Sequence, residues 1–140
     1  MIVGIARQWE IDDNWSVIAP MLQRAIDQTE NDLTTGDLWT MCRSGNAFLV
    51  FAAGEAGVVM ASVWKFERWN KGQVFRCLCL GGSKMKDWLE PFISKIKEMM
   101  EEGGATRMVY SGREGWDRVL SRNMPTRKLY TTYEVDHARR

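Results

Sequence analysis

Hydrophobic positions recur along the chain in two periods, and the switches between them predict the elements. Val74-Phe75-Arg76-Cys77-Leu78-Cys79-Leu80 alternates bulky and small residues, the pattern of a strand. It breaks at Gly81-Gly82, passes Ser83-Lys84-Met85-Lys86 and enters the clearest amphipathic helix of the sequence. In that helix Trp88, Leu89, Phe92, Ile93, Ile96, Met99 and Met100 form one apolar face. Gly103-Gly104 ends it. Arg107 to Tyr110 is a short strand reached after a single helix, so it can lie parallel to Val74–Leu80.

The same reading extends to both ends of the chain. Ile2 to Trp9 predicts a first edge strand, and Asp12-Asp13-Asn14 supplies helix-capping chemistry. Trp15, Ile18, Ala19, Leu22, Ala25 and Ile26 then predict a helix from about Asn14 to Gln28. Pro20 falls inside that pattern, which predicts a kink or two shorter helices. Asp32 to Arg43 reads as a second helix, capped by Thr35 or Asp37, with Leu38, Trp39 and Met41 turned inward and Ser44-Gly45-Asn46 at its end. Ala47–Ala53 and Val58–Phe66 form a hairpin about Gly54-Glu55-Ala56-Gly57. Glu67-Arg68-Trp69-Asn70-Lys71-Gly72 is the next turn. After Tyr110, Ser111 to Gly115 turns into a brief helix with Trp116, Val119 and Leu120, and Lys128 to Val135 alternates as a final strand. With no repeat or linker, the reading is one α/β domain over residues 1–140.

Composition narrows the chemistry. A formal net charge of +1 gives no case for general nucleic-acid binding. No apolar run is long enough to span a bilayer, and no secretory pattern opens the chain, so the expected place is a cytoplasm. A single histidine, His137, leaves little from which to build a metal site or a serine–histidine triad, and no metal is expected. Three cysteines, an odd number, read as reduced thiols. Cys77 and Cys79, two apart on a strand, are expected on one face and are poorly placed to bridge each other. Seven tryptophans and nine methionines are many for this length, and such residues serve both cores and protein–protein interfaces.

A strand that delivers a glycine turn to a helix start is a common anion site, because first-turn amides lack intrahelical partners and the helix dipole favours negative charge there. Lys84 and Lys86 add positive charge beside it. A strand–turn–helix that merely packs carries the same local signature. Among groups suited to proton transfer, Glu67 stands just before the Val74–Leu80 strand as a candidate base, and Tyr110 stands at the end of the Arg107–Tyr110 strand as a candidate acid. A solvated turn carboxylate and a packed strand-end tyrosine are their plain structural counterparts. Cys77 and Cys79 read as core thiols rather than nucleophiles, since nothing basic adjoins them in sequence.

The order strand, two helices, antiparallel meander, long helix, strand, short helix, strand resembles the GNAT superfamily of N-acyltransferases over almost the whole chain. More narrowly, LGGSKMKDWLEPF and YSGREGWDRVL resemble small GNAT-like proteins encoded by tailed bacteriophages. The resemblance implies a mixed, mostly antiparallel sheet splayed between Val74–Leu80 and Arg107–Tyr110, with acyl-CoA in the gap. It implies that Leu80, Gly81, Gly82, Ser83, Lys84, Met85 and Lys86 hold the pyrophosphate, and that an acetyl group passes to an amine. The loop departs from the family pattern, with Lys84, Met85 and Lys86 where small residues are usual, and Trp116 and Val119 stand where many members carry an acid tyrosine. Those departures suit a second expectation: a catalytically silent virion structural or assembly protein, acting through contacts with other phage proteins in the bacterial host or the particle.

Overall fold

The computed structural model describes residues 1–111 and 119–136. Its elements run β1 (Ile2–Ile5), α1 (Gln8–Ile26), α2 (Thr35–Arg43), β2 (Phe48–Gly54), β3 (Gly57–Trp69), β4 (Gly72–Gly82), α3 (Met85–Glu102) and β5 (Arg107–Tyr110). The five strands form one sheet in chain order, β1-β2-β3-β4-β5. Neighbours are antiparallel except β4 and β5, whose parallel register pairs Val74 with Arg107 and Cys77 with Tyr110. The expected mixed, mostly antiparallel sheet with a parallel β4–α3–β5 unit is therefore present.

Several boundaries differ from the sequence reading, each for a physical reason. The first strand ends at Ile5, and α1 begins at Gln8 because the Arg7 amide donates to the Glu10 carboxylate at 3.0 Å, making an earlier cap than Asp12-Asp13-Asn14. Asn14 instead lies within the helix and donates to the Glu10 carbonyl at 2.8 Å. α1 runs through Pro20 without a break. Pro20 and Ser16 are both exposed, so the carbonyl that loses its partner stays in water. Thr34, rather than Thr35 or Asp37, caps α2 by accepting from the Asp37 amide at 3.0 Å. Leu38 and Cys42 face the core, whereas Trp39 is exposed, with the Arg43 guanidinium 5.7 Å from its ring centre.

β3 continues through Trp69, so Glu67 and Arg68 lie on a strand and the turn shrinks to Asn70-Lys71. Lys128–Val135 forms no strand, and all eight side chains are exposed. Alternation marks a segment fit for a ladder, but a strand also requires a partner, and none of the described strands pairs with this one. The brief helix expected around Trp116 falls on residues 112–118, outside those described, with only Val119 and Leu120 seen as helical.

Both faces of the sheet are covered. On one face α1 and α2 bury Ile11, Ile18, Leu22 and Leu38 against Leu49, Ala61 and Val63. On the other, α3 lays Trp88, Phe92, Ile96 and Met99 over Val50, Met60, Trp64 and Phe75. Trp64 stacks on Phe75 at 4.9 Å between ring centres and meets Phe92 at 6.0 Å. Its indole N–H donates to Ser62 Oγ at 2.8 Å, and that hydroxyl donates to the Val50 carbonyl at 2.9 Å, so these two buried polar groups are satisfied. Trp64 and Trp88 are thus core residues, while Trp9 is exposed. Phe92→Ala should lower the unfolding free energy by about 3–5 kcal/mol, because the side chain is almost wholly buried. Urea denaturation measures this directly, and a loss below about 1 kcal/mol would contradict the packing described.

Candidate functional site

β4 is longer than its parallel neighbour β5. Its parallel pairing with β5 stops at Cys77 and Tyr110, and Leu78 to Gly82 continue along β3 alone. A bulge coincides with that point. Val63 pairs with Cys79 and Trp64 with Cys77, which leaves Leu78 as the extra residue outside the ladder. The bulge also rotates the strand, so Cys77 packs with the α3 face and Cys79 with the α1 face. The expectation that the two cysteines share a face fails for that reason.

Where β4 and β5 part, a cavity of about 110 Å³ remains. Trp64, Cys77, Phe92, Ile96, Met108 and Tyr110 line it from the α3 side, and Ala25, Ile26, Leu33, Leu78 and Cys79 from the α1 side. A wider, more polar opening of about 480 Å³ adjoins it, walled by the loop Thr29–Leu33, Arg76 and Ser111. The two voids share Thr29, Asn31, Leu33, Cys77, Leu78 and Ser111, so the gap in the sheet is reached from the α1–α2 loop. Asn31 stiffens that loop: its side-chain amide donates to the Ile26 and Thr29 carbonyls at 3.0 and 2.9 Å, and its oxygen accepts from the Leu33 amide at 3.0 Å.

Of the residues expected to act chemically, Tyr110 lines the cavity, with its hydroxyl buried. Glu67 lies elsewhere. Its carboxylate accepts from Arg76 Nε at 2.9 Å and Trp69 Nε1 at 3.0 Å, and pairs with Lys65 at 3.1 Å. Burial pushes its pKa up, but the hydrogen bonds from Arg76, Trp69 and Lys65 and the Arg76 charge outweigh that, bringing it down to about 2. A carboxylate held so firmly ionised, and absent from the described walls of either void, is a poor proton acceptor. The thiols are equally unsuited to attack: burial pushes Cys77 up strongly, with Cys79 adding to the effect, and pushes Cys42 and Cys79 up to about 11.

The expected pyrophosphate loop is only partly placed. Leu80 lines the cavity, whereas Gly81 to Lys86 do not. Gly81 and Gly82 belong to β4 and pair with Ala61 and Met60. A side chain at Gly81 would strike the Met21 carbonyl of α1, and one at Gly82, which sits at φ +152°, would strike the Val59 carbonyl. Their bareness therefore lets a helix and a neighbouring strand approach, which is a structural reason for a glycine pair here. Beyond them the Ser83 amide donates to the Val59 carbonyl at 2.8 Å, and Trp88 Nε1 to the Ser83 carbonyl at 2.7 Å. Lys84 takes left-handed angles, φ 59° and ψ 40°, and turns the chain into α3. The Asp87 amide donates to the Lys84 carbonyl at 2.9 Å, which leaves those of Met85 and Lys86 at the helix start. Among the described residues no cluster of three ligand-type side chains could hold a metal, and no helix is long and apolar enough to cross a membrane.

No protein-family profile matches the chain, and no curated protein sequence matches it. Solved structures do. A ribosomal-protein-alanine N-acetyltransferase from Brucella melitensis biovar Abortus 2308 superposes with a TM-score of 0.69 at 12% identity, covering 97% of this chain and 99% of that one. An aminoglycoside acetyltransferase from an uncultured soil metagenomic sample gives 0.70 at 13% identity over 96% and 98%. A predicted acetyltransferase with acetyl-CoA from Clostridium acetobutylicum gives 0.71 at 8% identity over 99% and 97%. At such identities the likeness concerns the fold alone, and the fold is GNAT-like: a single α/β domain with a five-stranded mixed sheet and three helices.

Two measurements test this geometry. Glu67 has a folded pKa below its ordinary value of 4.5, so its contribution to stability is complete above that value and is lost as pH falls toward about 2. Glu67→Gln should remove that part of the acid-induced decline, which melting curves between those pH limits would show. Gly81→Ala should cost about 1–3 kcal/mol, since the new methyl group must displace the backbone of α1.

Proposed function

We propose that the chain is an acyl-CoA-dependent N-acyltransferase whose reacting centre is the gap between β4 and β5. The observation that carries this reading is the passage itself. It begins where the parallel ladder stops at Cys77 and Tyr110, and its walls come from both faces of the sheet. A thioester and an amine must meet in one place from different directions, and a sheet parted at one point permits that approach. Acetyl-CoA supplies an activated acyl carbon when bound, and a cavity of about 110 Å³ suits a two-carbon acyl group and its sulfur.

In this reading the amine enters past Ser111 and the Asn31-stiffened loop, leaving its proton to water, because Glu67 is committed to Arg76 and Lys65. Its nitrogen attacks the thioester carbon, a C–N bond forms, the nitrogen gives up a second proton to solvent and the C–S bond breaks. Tyr110 donates its phenolic proton to the departing thiolate and recovers it from solvent. Leu78, outside the ladder, would offer its backbone N–H at the bulge to the carbonyl oxygen. The Met85 and Lys86 amides, with the Lys84 and Lys86 ammonium groups, would hold the pyrophosphate at the start of α3.

A second reading is favoured by one observation: of the seven loop residues Leu80 to Lys86, only Leu80 reaches the cavity, and the sides of Gly81 and Gly82 are filled by protein. Here the fold is a scaffold that works through protein contacts, in a bacteriophage particle as the sequence resemblance implies. Calorimetric titration with acetyl-CoA separates the two readings. The enzyme reading expects saturable heat from the wild type and none from Ser111→Trp, whose indole would fill the shared opening. It expects Tyr110→Phe to bind normally while turnover of amines falls about 100-fold. A wild type that gives no heat would put the scaffold in front.

A further inference from the structure

The outer edge of β1 carries no partner strand among the described residues. The Ala6 amide donates to the Leu49 carbonyl at 2.8 Å, and Ile5 stands opposite Val50, so Ile2, Gly4 and Ala6 turn their backbone groups toward β2. Val3 and Ile5 consequently present their N–H and C=O groups outward. Soluble proteins usually guard such an edge with charge, proline or a bulge. Ile2-Val3-Gly4-Ile5 has none of these, and its apolar side chains are among the most open of the molecule: Met1 is 48% exposed, Ile2 69% and Ile5 39%, with Phe48 beside them on β2 at 37%.

The geometry points to a second copy of this chain as the occupant of that edge. Two β1 strands set antiparallel about a two-fold axis through Gly4 place Val3 of one copy opposite Ile5 of the other, twice. Those are the residues whose backbone groups face outward, so the edges satisfy one another and the sheet continues across the axis as ten strands. The area is also right. Taking about 200 Å² for a fully open large side chain, the four exposed residues offer roughly 400 Å² per copy. A standard interface uses about 800 Å² per partner, of which roughly 60% is apolar. The edge thus supplies most of the apolar share, and the backbone ladder and its rim supply the remainder. Since β1 is the strand farthest from β5, the association leaves the gap beside Tyr110 open and is independent of any activity there.

Sedimentation of the whole chain at tens of micromolar should give the mass of a dimer, with slowed hydrogen exchange at the Val3 and Ile5 amides. Ile5→Pro removes an outward donor while leaving the Ala6 bond to β2, and should yield a folded monomer. If that variant fails to fold, Ile2→Lys decides, because Ile2 is exposed and its charge would be buried only in the dimer. A monomeric wild type with fast exchange at Val3 and Ile5 overturns the inference and leaves the edge to an extended peptide of another protein. A dimer that persists in both variants overturns it as well.

Discussion

Four parallel register pairs join β4 to β5, and the place where they stop governs the rest of the site. Up to Cys77 and Tyr110 the two strands share one ladder. Beyond that point β4 still has a partner in β3, so it stays ordered while its other side is released. A parallel pair must be joined by a crossover, and α3 provides it. The helix packs over Trp64 and Phe75, so its Phe92 and Ile96 also form a wall of the gap. The core residues that hold the sheet together thus define the cavity too.

The bulge at Leu78 links backbone geometry to side-chain chemistry. It moves Cys77 and Cys79 to opposite faces, which gives each core a small thiol and keeps both protonated by burial. A few residues earlier on the same strand, Arg76 is drawn to Glu67 and lies 5.8 Å from the Trp69 ring centre, while Arg107 of β5 approaches the same ring at 5.0 Å. Charge and aromatic contact therefore hold the ladder from Arg107 to Arg76, and Arg76 also walls the polar opening beside the apolar gap.

Much of this was legible from periodicity. The β4–α3–β5 unit, the inward face of α3 and the meander before it follow from spacing alone, because those elements are long and cleanly patterned. What escaped depends on tertiary partners. Sequence spacing puts Glu67 in a turn, because the register of a hairpin, and hence the length of β3, is set by the neighbouring strand. Lys128–Val135 has the alternation of a strand and lacks a ladder. The glycine pair is visible in sequence, but that Met21 and Val59 are what it admits is not. Tyr110 is visible in sequence as a strand-end tyrosine, whereas Ser111 and the Thr29–Leu33 loop share a wall only because distant segments converge. A polar run between two predicted helices was their one sequence signal.

The contact at Gly81 has a mechanical consequence. With no side chain between them, the backbone of β4 rests against the Met21 carbonyl of α1, and this strand is also laddered to β3 along its length. That side of the gap behaves as an anvil: it cannot yield without shifting a helix and a long strand together. The facing side, where the short β5 leads into Ser111, is held to the sheet by four pairs only. Any breathing of the gap is therefore one-sided, and a guest of different girth would be accommodated by movement of β5 rather than β4.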